Sequence, residues 1–351
     1  MGKFAVVSGF LGAGKTTAMM ALTKWFHDHG SRAAMISNDL GGPGLADHKL
    51  AQLAGCSASE LTDKCICDQR PQLLERIRAH FAEGCELVLS DVPGFGVGAL
   101  DHVYHALTKD YPGQVALAPF TVLTEPDTVR LLRGGGDADL AFLMNAQLAE
   151  ADLIVLNKCD LLDAAQRAAD TEYLQARYPD AEVLSISART GEGLDALARA
   201  LTEGSASMRR PDVGCGSKPF RSAMRRVSEY YIQYRAVVCC DDFDGNAYLT
   251  ALAERVRGGV AAAGHEIPHL KLLAWTPEGD YGKVDLLGTE RPIERTRIFA
   301  GPCTDVAVVL NASAACPHKK LDEIVTGAAE TVSAAYQLEL AIFKKECFGM
   351  G

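Results

Sequence analysis

The sequence has no apolar run long enough to cross a bilayer and no excess of basic residues. A membrane-spanning helix needs about 20 consecutive apolar residues, and the 351-residue sequence contains no such run. Its 45 Asp and Glu residues outnumber its 35 Lys and Arg residues, which gives a formal net charge of -10. A negative net charge disfavours binding to the nucleic-acid backbone. The sequence therefore predicts neither a membrane partner nor a nucleic-acid partner.

The N-terminus also lacks the features of a signal peptide. Met1-Gly2-Lys3 leads directly into an apolar segment, without a separate targeting region. We therefore expect a cytoplasmic protein. In that reducing compartment the eleven cysteines are expected to be thiols or metal ligands rather than disulfides.

The clearest motif is a phosphate-binding loop close to the N-terminus. Residues 9–17 read GFLGAGKTT, and they lie between an apolar strand and a predicted helix over Thr16–His29. In this strand–loop–helix context the glycines bring backbone N–H groups close to phosphates at the positive end of the helix. Lys15 is expected to reach the β- and γ-phosphates, and the Thr16 hydroxyl to bind Mg²⁺. The predicted phosphate-binding residues are Gly9, Gly12, Ala13, Gly14, Lys15, Thr16 and Thr17.

Carboxylates follow two further predicted strands. Residues 87–94 read LVLSDVPG, so Asp91 is expected beside the phosphate loop in the Mg²⁺ shell, with Gly94 sensing the γ-phosphate. Lys15 and Asp91 are the predicted catalytic residues. Asp39 and Asp47 follow the strand Arg32–Ser37, and each is a candidate Mg²⁺ contact or a surface acid.

A second pair of motifs predicts guanine specificity. Asn157-Lys158-Cys159-Asp160 follows an apolar strand, and residues 185–193 read SISARTGEG. The Asp160 carboxylate is suited to accept from guanine N1 and N2, a donor pair that adenine lacks. Lys158 is expected over the base, and Asn157 is expected to hold this loop to the phosphate loop. The predicted backbone donors to guanine O6 lie in Ser187, Ala188 and Arg189.

Cys65 and Cys67 form a Cys-x-Cys pair in a predicted extended loop before a helix over Arg70–Ala82. Side chains at i and i+2 of an extended chain point the same way, and thiolates favour Zn²⁺, Cu⁺ or a similar ion. Two thiols make half of a site. The pair is therefore a metal-ligand candidate or a pair of structural cysteines.

Together these stretches resemble the P-loop GTPases of the CobW/HypB/UreG group of metallochaperones. The resemblance covers about residues 1–205 and rests on residues 8–17, Asn38-Asp39, Cys65-Ile66-Cys67 and residues 147–160. It implies GTP hydrolysis coupled to delivery of zinc, cobalt or another transition metal to a client metalloprotein or corrinoid protein. It also makes a homodimer possible.

The sequence departs from the family pattern at two places. The family's Cys-x-Cys-Cys ends here in Asp68, and its Asn-Glu-x-Gly-Glu is here Asn38-Asp39-Leu40-Gly41-Gly42. A carboxylate is a harder ligand than a thiolate, so a metal site using Cys65, Cys67 and Asp68 would favour soft metal ions less than an all-thiolate site does. The alternative is a protein that retains the nucleotide switch without the metal.

The expected fold is α/β. It is a P-loop NTPase with a mostly parallel sheet and helices on both faces, over residues 1–205. A linker over 206–222 and a smaller α+β domain over 223–351, expected to dock a client, complete the chain. In that domain we predict strands at Tyr230–Cys240, His269–Thr276, Gly282–Leu287 and Asp305–Ala312, and helices at Gly245–Ala262 and Lys319–Ala341.

The predicted function is therefore that of a GTPase metallochaperone, or a maturation factor for a metalloenzyme or for cobalamin, using GTP/GDP, Mg²⁺ and Zn²⁺ or Co²⁺. No residue stands out as a general base or an internal arginine finger, so intrinsic turnover is expected to be slow. The alternative is a GTP-dependent activator, for example of a corrinoid enzyme, that carries no metal. A phosphoryl-transferring kinase is disfavoured because Asn157–Asp160 predicts guanine binding.

Overall fold

The computed structural model describes residues 2–38, 46–62, 64–134, 137–224, 228–239 and 241–349. The chain divides into two compact units, Met1–Arg221 and Ser222–Gly351. No helix among the described residues is both long and apolar enough to cross a membrane.

Strands and helices alternate along the first unit. Their bounds are β1 (Lys3–Gly9), α1 (Lys15–Asp28), β2 (Ala33–Asn38), α2 (Ala46–Leu53), β3 (Ala58–Leu61), α3 (Arg70–Ala82), β4 (Leu87–Asp91), α4 (Ala106–Asp110), β5 (Ala116–Leu117), β6 (Thr121–Thr124), α5 (Pro126–Leu132), α6 (Ala138–Glu150), β7 (Leu153–Leu156), α7 (Ala164–Arg177), β8 (Glu182–Ser185) and α8 (Leu194–Glu203). A further helix, α9 (Lys218–Met224), spans the boundary between the units.

The sheet of the first unit is parallel throughout its described pairs. Its strand order is β3-β2-β4-β1-β6-β7-β8, with the two-residue β5 also beside β1. Successive residues of β1 alternate between two apolar clusters, Phe4 and Val6 in one and Ala5 and Val7 in the other. Because adjacent strand residues face opposite sides, both faces are covered, which confirms the predicted α/β fold.

The second unit is built around an antiparallel sheet. Its elements are β9 (Ser228–Val238), α10 (Gly245–Ala262), β10 (His269–Trp275), β11 (Tyr281–Leu286), β12 (Glu294–Arg297), β13 (Asp305–Ala314), α11 (His318–Ala335) and β14 (Leu338–Gly349). The strand order is β12-β11-β10-β13-β9-β14. Apolar side chains of α10 and α11 form one buried cluster with those of the sheet, so the predicted α+β domain is confirmed.

The second unit differs from its prediction at the end of the last helix and at one strand that was not predicted. The last helix ends at Ala335 rather than Ala341, and the chain then forms β14 along β9. Gln337 takes a left-handed conformation at φ 55°, which ends the helix without the usual glycine signal. The exposed strand β12 was also not predicted, because its residues Glu294–Arg297 are all polar.

The segment predicted as a linker follows the surface of the first unit over part of its length. Ser207 donates its backbone N–H to Asp152 Oδ2 at 3.2 Å. The His105 ring hydrogen-bonds the Arg209 carbonyl at 2.9 Å, and Arg210 pairs with Asp101 at 3.1 Å. These contacts hold residues 207–210 against the first unit.

Candidate functional site

The candidate site lies at the edge of the parallel sheet where the strands end. Gly9, Asn38, Asp91 and Thr124 are the last residues of β1, β2, β4 and β6, and Asn157 follows β7. Parallel strands carry their carboxyl ends to one edge, which is where ligands bind in open α/β sheets. The phosphate, carboxylate and guanine motifs therefore share one edge.

The phosphate loop has the backbone conformation that its glycines permit. Gly12 and Gly14 are left-handed at φ 81° and 90°. A Cβ on Gly9 would lie 2.3 Å from the Leu123 carbonyl oxygen, and one on Gly14 would lie 2.4 Å from Asn157 Nδ2. The Lys15 ammonium donates to the Gly9 carbonyl at 2.8 Å, so it lies across the loop and near the position that a phosphate would occupy.

Oxygen ligands gather beside the start of α1. The Thr16 hydroxyl donates to Asp47 Oδ2 at 2.8 Å. The buried carboxylate of Asp91 accepts the Asn38 backbone N–H at Oδ1, at 2.9 Å. Hydroxyl and carboxylate oxygens are the donors that Mg²⁺ prefers, so the residues present suit that ion. Asp39, the other predicted contact, lies outside the described residues.

The chain after Asp91 is held against the phosphate loop. A Cβ on Gly94 would lie 2.5 Å from Leu11 Cδ2, so the two loops are in direct contact. The buried Gln147 amide donates to the Gly94 and Gly96 carbonyls at 3.0 and 2.9 Å. Gly94 therefore lies beside the phosphate loop, and α6 fixes the loop that carries it.

A second side chain of α6 secures the same loop. The two Glu150 carboxylate oxygens accept the backbone N–H groups of Gly98 and Leu100, both at 3.0 Å. Burial raises the pKa of Glu150 to about 7, although these two hydrogen bonds favour the ionised form. Gln147 and Glu150 were not predicted as site residues. Their signal was two polar side chains at i and i+3 near the end of a largely apolar helix.

Asn157 links the guanine motif to the phosphate loop, as its position predicts. Its Nδ2 donates to the Ala13 carbonyl at 2.9 Å, and its Oδ1 accepts the Ala188 backbone N–H at 3.0 Å. The side chain is buried. One amide therefore joins residues 13, 157 and 188, the three loops expected to surround a nucleotide.

The other charged residues of the guanine motif have partners within the protein. Lys158 has a left-handed backbone at φ 61°, and its ammonium pairs with Glu125 at 2.5 Å. Burial alone would raise the pKa of Asp160, but hydrogen bonds from Ser187 and Arg189 hold it below its usual range. Asp160 is therefore an ionised acceptor, and the Arg189 guanidinium is its present partner.

The Cys-x-Cys pair does not lie in an extended loop. Cys65 is extended, but Ile66–Asp68 form a 3₁₀ turn in which the Cys67 backbone N–H points to Cys65 Sγ at 3.5 Å. The two thiols nevertheless lie in contact. The hydrogen bond from Cys67 lowers the pKa of Cys65, and the same contact raises the pKa of Cys67.

Asp68 belongs to the same turn but does not complete a three-ligand cluster. Among the described residues, the one group of three His, Cys, Asp or Glu ligand atoms lying within 4.8 Å of one another is His80, Glu83 and Cys85. The Cys65/Cys67 pair therefore offers two soft ligands, to which a bound metal would add others.

Asn38 connects this turn to the nucleotide edge. Its backbone N–H donates to Asp91, while its side chain Oδ1 accepts the Ile66 N–H at 3.0 Å and its Nδ2 donates to the Lys64 carbonyl at 2.9 Å. Asn38 is buried. A single residue therefore contacts both the candidate Mg²⁺ carboxylate and the Cys65–Cys67 turn.

Comparison with known proteins gives one family. The model of the CobW/HypB/UreG nucleotide-binding domain matches residues 3–185. Two curated relatives, each named zinc chaperone CobW, are 30% identical to the chain. The one from Pseudomonas aeruginosa aligns over 53% of this chain and 56% of its own length, and the one from Sinorhizobium over 58% and 63%. The chain thus spans less than two thirds of each relative.

Among solved structures, the chain is similar to the Zn(II)-bound YjiA GTPase from E. coli. The sequence identity is 16% and the TM-score is 0.40, over 93% of this chain and 98% of that one.

Proposed function

The chain belongs to the CobW/HypB/UreG family, and on that premise we propose that it is a GTP-hydrolysing metallochaperone. In this proposal GTP binds at the carboxyl edge of the parallel sheet, and a transition metal is the cargo at Cys65 and Cys67. The observation that carries the proposal is the position of Asn38, which hydrogen-bonds Asp91 on one side and the Cys65–Cys67 turn on the other.

The phosphate loop binds the phosphates of the nucleotide. The backbone N–H groups at the start of α1 face the triphosphate, and Lys15 exchanges its bonds to the Gly9 and Phe10 carbonyls for phosphate oxygens. The oxygen ligands for Mg²⁺ are Thr16 and Asp91, with Asp47 already hydrogen-bonded to Thr16. When bound, the ion offsets phosphate charge. Lys15, Thr16 and Asp91 thereby hold the γ-phosphate in place for hydrolysis.

Guanine selection falls to Asp160. Its ionised carboxylate exchanges the Arg189 partner for the N1 and N2 donors of guanine. Adenine lacks that pair, and a charged acceptor left without its partners costs about 1–3 kcal/mol or more. Asn157 holds this loop at a fixed distance from Ala13, so the guanine site and the phosphate site keep a fixed spacing.

In this proposal, GTP hydrolysis changes the conformation of the cysteine turn through the loops that contact the γ-phosphate. Gly94 senses the phosphate, and loss of the phosphate relaxes its loop. The other predicted sensor, the segment between Asn38 and Asp47, lies largely outside the described residues. Movement of Asp91 or of the residue-38 backbone displaces the Asn38 side chain, which positions the Ile66 and Lys64 main chain. The distance between the two thiols then differs between the GTP and GDP states.

Zinc is the proposed cargo. Cys65 and Cys67 place two sulfur ligands in one turn, and thiolates are ligands for Zn²⁺. The name of both curated relatives, zinc chaperone CobW, supports the same metal. Cobalt is the next candidate because it accepts similar ligands. We further assign docking of a client metalloprotein or corrinoid protein to residues 223–351.

One observation favours a second candidate, a GTP-dependent regulator without metal. Cys65 Sγ caps the Ile66–Asp68 turn, and both cysteines pack against the apolar core of the first unit. These are structural roles that need no ion. In that case the same Asn38 connection would alter a protein-binding surface rather than a metal site.

The deciding experiment is a zinc titration of the reduced, chelator-stripped protein with a non-hydrolysable GTP analogue and with GDP. A Cys65→Ser variant is measured in parallel, with Cys56→Ser as the matched control because Cys56 is another half-buried thiol. Of the zinc bound, we expect one equivalent to require Cys65 and to differ at least tenfold in affinity between the nucleotides, whatever other zinc the protein binds. Zinc binding that is unchanged in Cys65→Ser would reject the metallochaperone at this pair.

A further inference from the structure

A second group of metal-ligating side chains lies at the opposite edge of the parallel sheet. His80 is in the last turn of α3, Glu83 caps that helix, and Cys85 lies two residues before β4. One ligand atom from each residue lies within 4.8 Å of the other two. Because β4 runs from this turn to Asp91 at the nucleotide edge, the cluster is separated from the nucleotide by the length of the strand.

The cluster combines a buried part with an accessible part. His80 and Cys85 are each 6% exposed, whereas the Glu83 side chain is 60% exposed. Two ligands are therefore held in place by packing, and the third is free to rotate onto an ion that arrives from solvent.

The His80 ring is oriented by a neighbour outside the cluster. Its Nε2 lies 2.8 Å from Ser59 Oγ of β3, and its Nδ1 lies 3.3 Å from Glu83 Oε2. In this contact the Glu83 carboxylate accepts from Nδ1; binding of a metal at Nδ1 requires that proton to move to Nε2, which then donates to Ser59. Metal-binding histidines are oriented in this way, with the outer ring nitrogen hydrogen-bonded to a fixed group.

The backbone of the turn fixes the spacing of the three ligands. Gly84 is left-handed at φ 88°, and the Cys85 N–H donates to the His80 carbonyl at 3.1 Å. Arg32 donates to the Glu83 carbonyl at 2.9 Å. The carboxyl end of α3, where these residues lie, also favours a cation through the helix dipole.

We propose that His80, Glu83 and Cys85 form a second transition-metal site that binds Zn²⁺ with water as the fourth ligand. Nitrogen, oxygen and sulfur are the ligands of tetrahedral zinc, and its bond lengths place ligand atoms roughly 3.3–3.8 Å apart. Rotation of the exposed Glu83 side chain reaches that spacing. Binding forms the sulfur–zinc bond and releases the Cys85 thiol proton to solvent, with no change in oxidation state.

This site has a different role from the cysteine pair. It lies away from every loop expected to touch the nucleotide, so its ion is held in both nucleotide states. It ties the turn before β4 to β3 through His80 and Ser59. The inference is independent of the proposed GTP-coupled site at Cys65 and Cys67.

The test uses Co²⁺ as a probe for the full-length, reduced protein in a Cys65→Ser/Cys67→Ser background, which removes the other candidate site. Thiolate coordination gives a near-ultraviolet sulfur-to-cobalt absorption band. We expect one Co²⁺ equivalent with this band, displaced by Zn²⁺ and equal in GTP-analogue and GDP buffers. Cys85→Ser should abolish the band, and Glu83→Gln should weaken Co²⁺ affinity at least tenfold.

Two controls keep the result interpretable. Cys56→Ser should leave both the band and the affinity unchanged. Glu83→Gln alters an exposed side chain, so it tests the ligand without disturbing the core, and circular dichroism verifies the fold of the Cys85→Ser variant. Absence of the band in the background variant, or a Co²⁺ affinity unaffected by Glu83→Gln, would overturn the proposal. Neither result would alter the Cys65-dependent titration.

Discussion

The backbone N–H of Asn38 donates to Asp91 Oδ1 at 2.9 Å, and the Asn38 side chain occupies the turn that carries Cys65 and Cys67. The strand that ends at the candidate nucleotide site therefore also positions the turn that carries the thiols. The contact with Asp91 is made by the Asn38 backbone and the contacts with the turn by its side chain, so a mutation can remove one without the other. The backbone bond survives loss of the side chain, whereas the bonds to Ile66 and Lys64 do not.

Asn38→Ala should uncouple metal from nucleotide. The Ile66 N–H loses its acceptor, at a cost of about 1–3 kcal/mol for a buried group, while the bond from residue 38 to Asp91 remains. We expect GTP affinity within a few-fold of wild type and a zinc affinity that no longer differs between GTP analogue and GDP. Paired zinc titrations measure this, with Ser37→Ala as the neighbouring control. A fully retained nucleotide dependence would exclude Asn38 as the connection.

Gly14→Ala should weaken nucleotide binding for a reason beyond backbone strain. The new Cβ would lie 2.4 Å from Asn157 Nδ2, which displaces the amide that joins the phosphate and guanine loops. Gly30 is the matched control, because its φ of 76° is also left-handed but nothing lies within 4 Å of its Cβ position. Both variants carry a strain of about 1 kcal/mol or more. In a fluorescent-nucleotide titration, only Gly14→Ala should lose at least tenfold in GTP affinity, and equal losses would contradict the clash.

Asp160→Asn should exchange guanine for xanthine specificity. The amide presents a donor where the carboxylate accepted, so it opposes the guanine N2 donor but matches the oxygen that xanthine carries there. Losing this pairing costs about 1–3 kcal/mol, or roughly 5- to 150-fold in affinity. Competition between GTP and XTP for the nucleotide site measures this change in base specificity. Asp180→Asn, at an exposed carboxylate of the same unit, should change neither affinity, and an unchanged preference in Asp160→Asn would remove Asp160 from base recognition.

The fold of the first unit was predictable because its signals are local. Apolar strands end in glycine or polar motifs, and helix α3 has the predicted bounds, Arg70–Ala82. The contacts between motifs were harder to predict from the sequence. The pairing of Asn157 with Ala13 was expected, but the bonds from Gln147 and Glu150 to the loop after Asp91 depend on how α6 packs, which no local pattern specifies.

The errors have physical causes at particular residues. The Cys65–Cys67 loop was expected to be extended, but a 3₁₀ turn forms with a sulfur atom as its capping acceptor, and cysteine is not a common capping residue. The predicted helix includes the first four residues of β14, Leu338–Ala341, because Gln337, rather than a glycine, takes the left-handed conformation that ends α11. In both places a side chain with weak local preference takes a conformation that tertiary contacts stabilise.

Glu150 gives the fold a pH dependence with a defined sign. Its pKa is raised by burial to about 7 from 4.5, so the folded state binds the proton more tightly than the unfolded state. The resulting stabilisation is fully present below about pH 4.5 and is lost as pH rises through about 7, a difference on the order of 3 kcal/mol. Glu150→Gln does not titrate, and its amide nitrogen faces one of the two N–H donors, Gly98 or Leu100.

Urea unfolding at pH 5 and pH 8 measures this effect. Glu150→Gln should be less stable than wild type at pH 5, since it loses one buried hydrogen bond, worth about 1–3 kcal/mol. At pH 8 that deficit should shrink or reverse, because the wild type then carries a buried charge and the variant does not. Glu172→Gln, at an exposed position, should keep a constant difference from wild type. A Glu150→Gln deficit that is equal at both pH values would show that Glu150 stays ionised throughout, held by the two backbone donors at the end of the loop that follows Asp91.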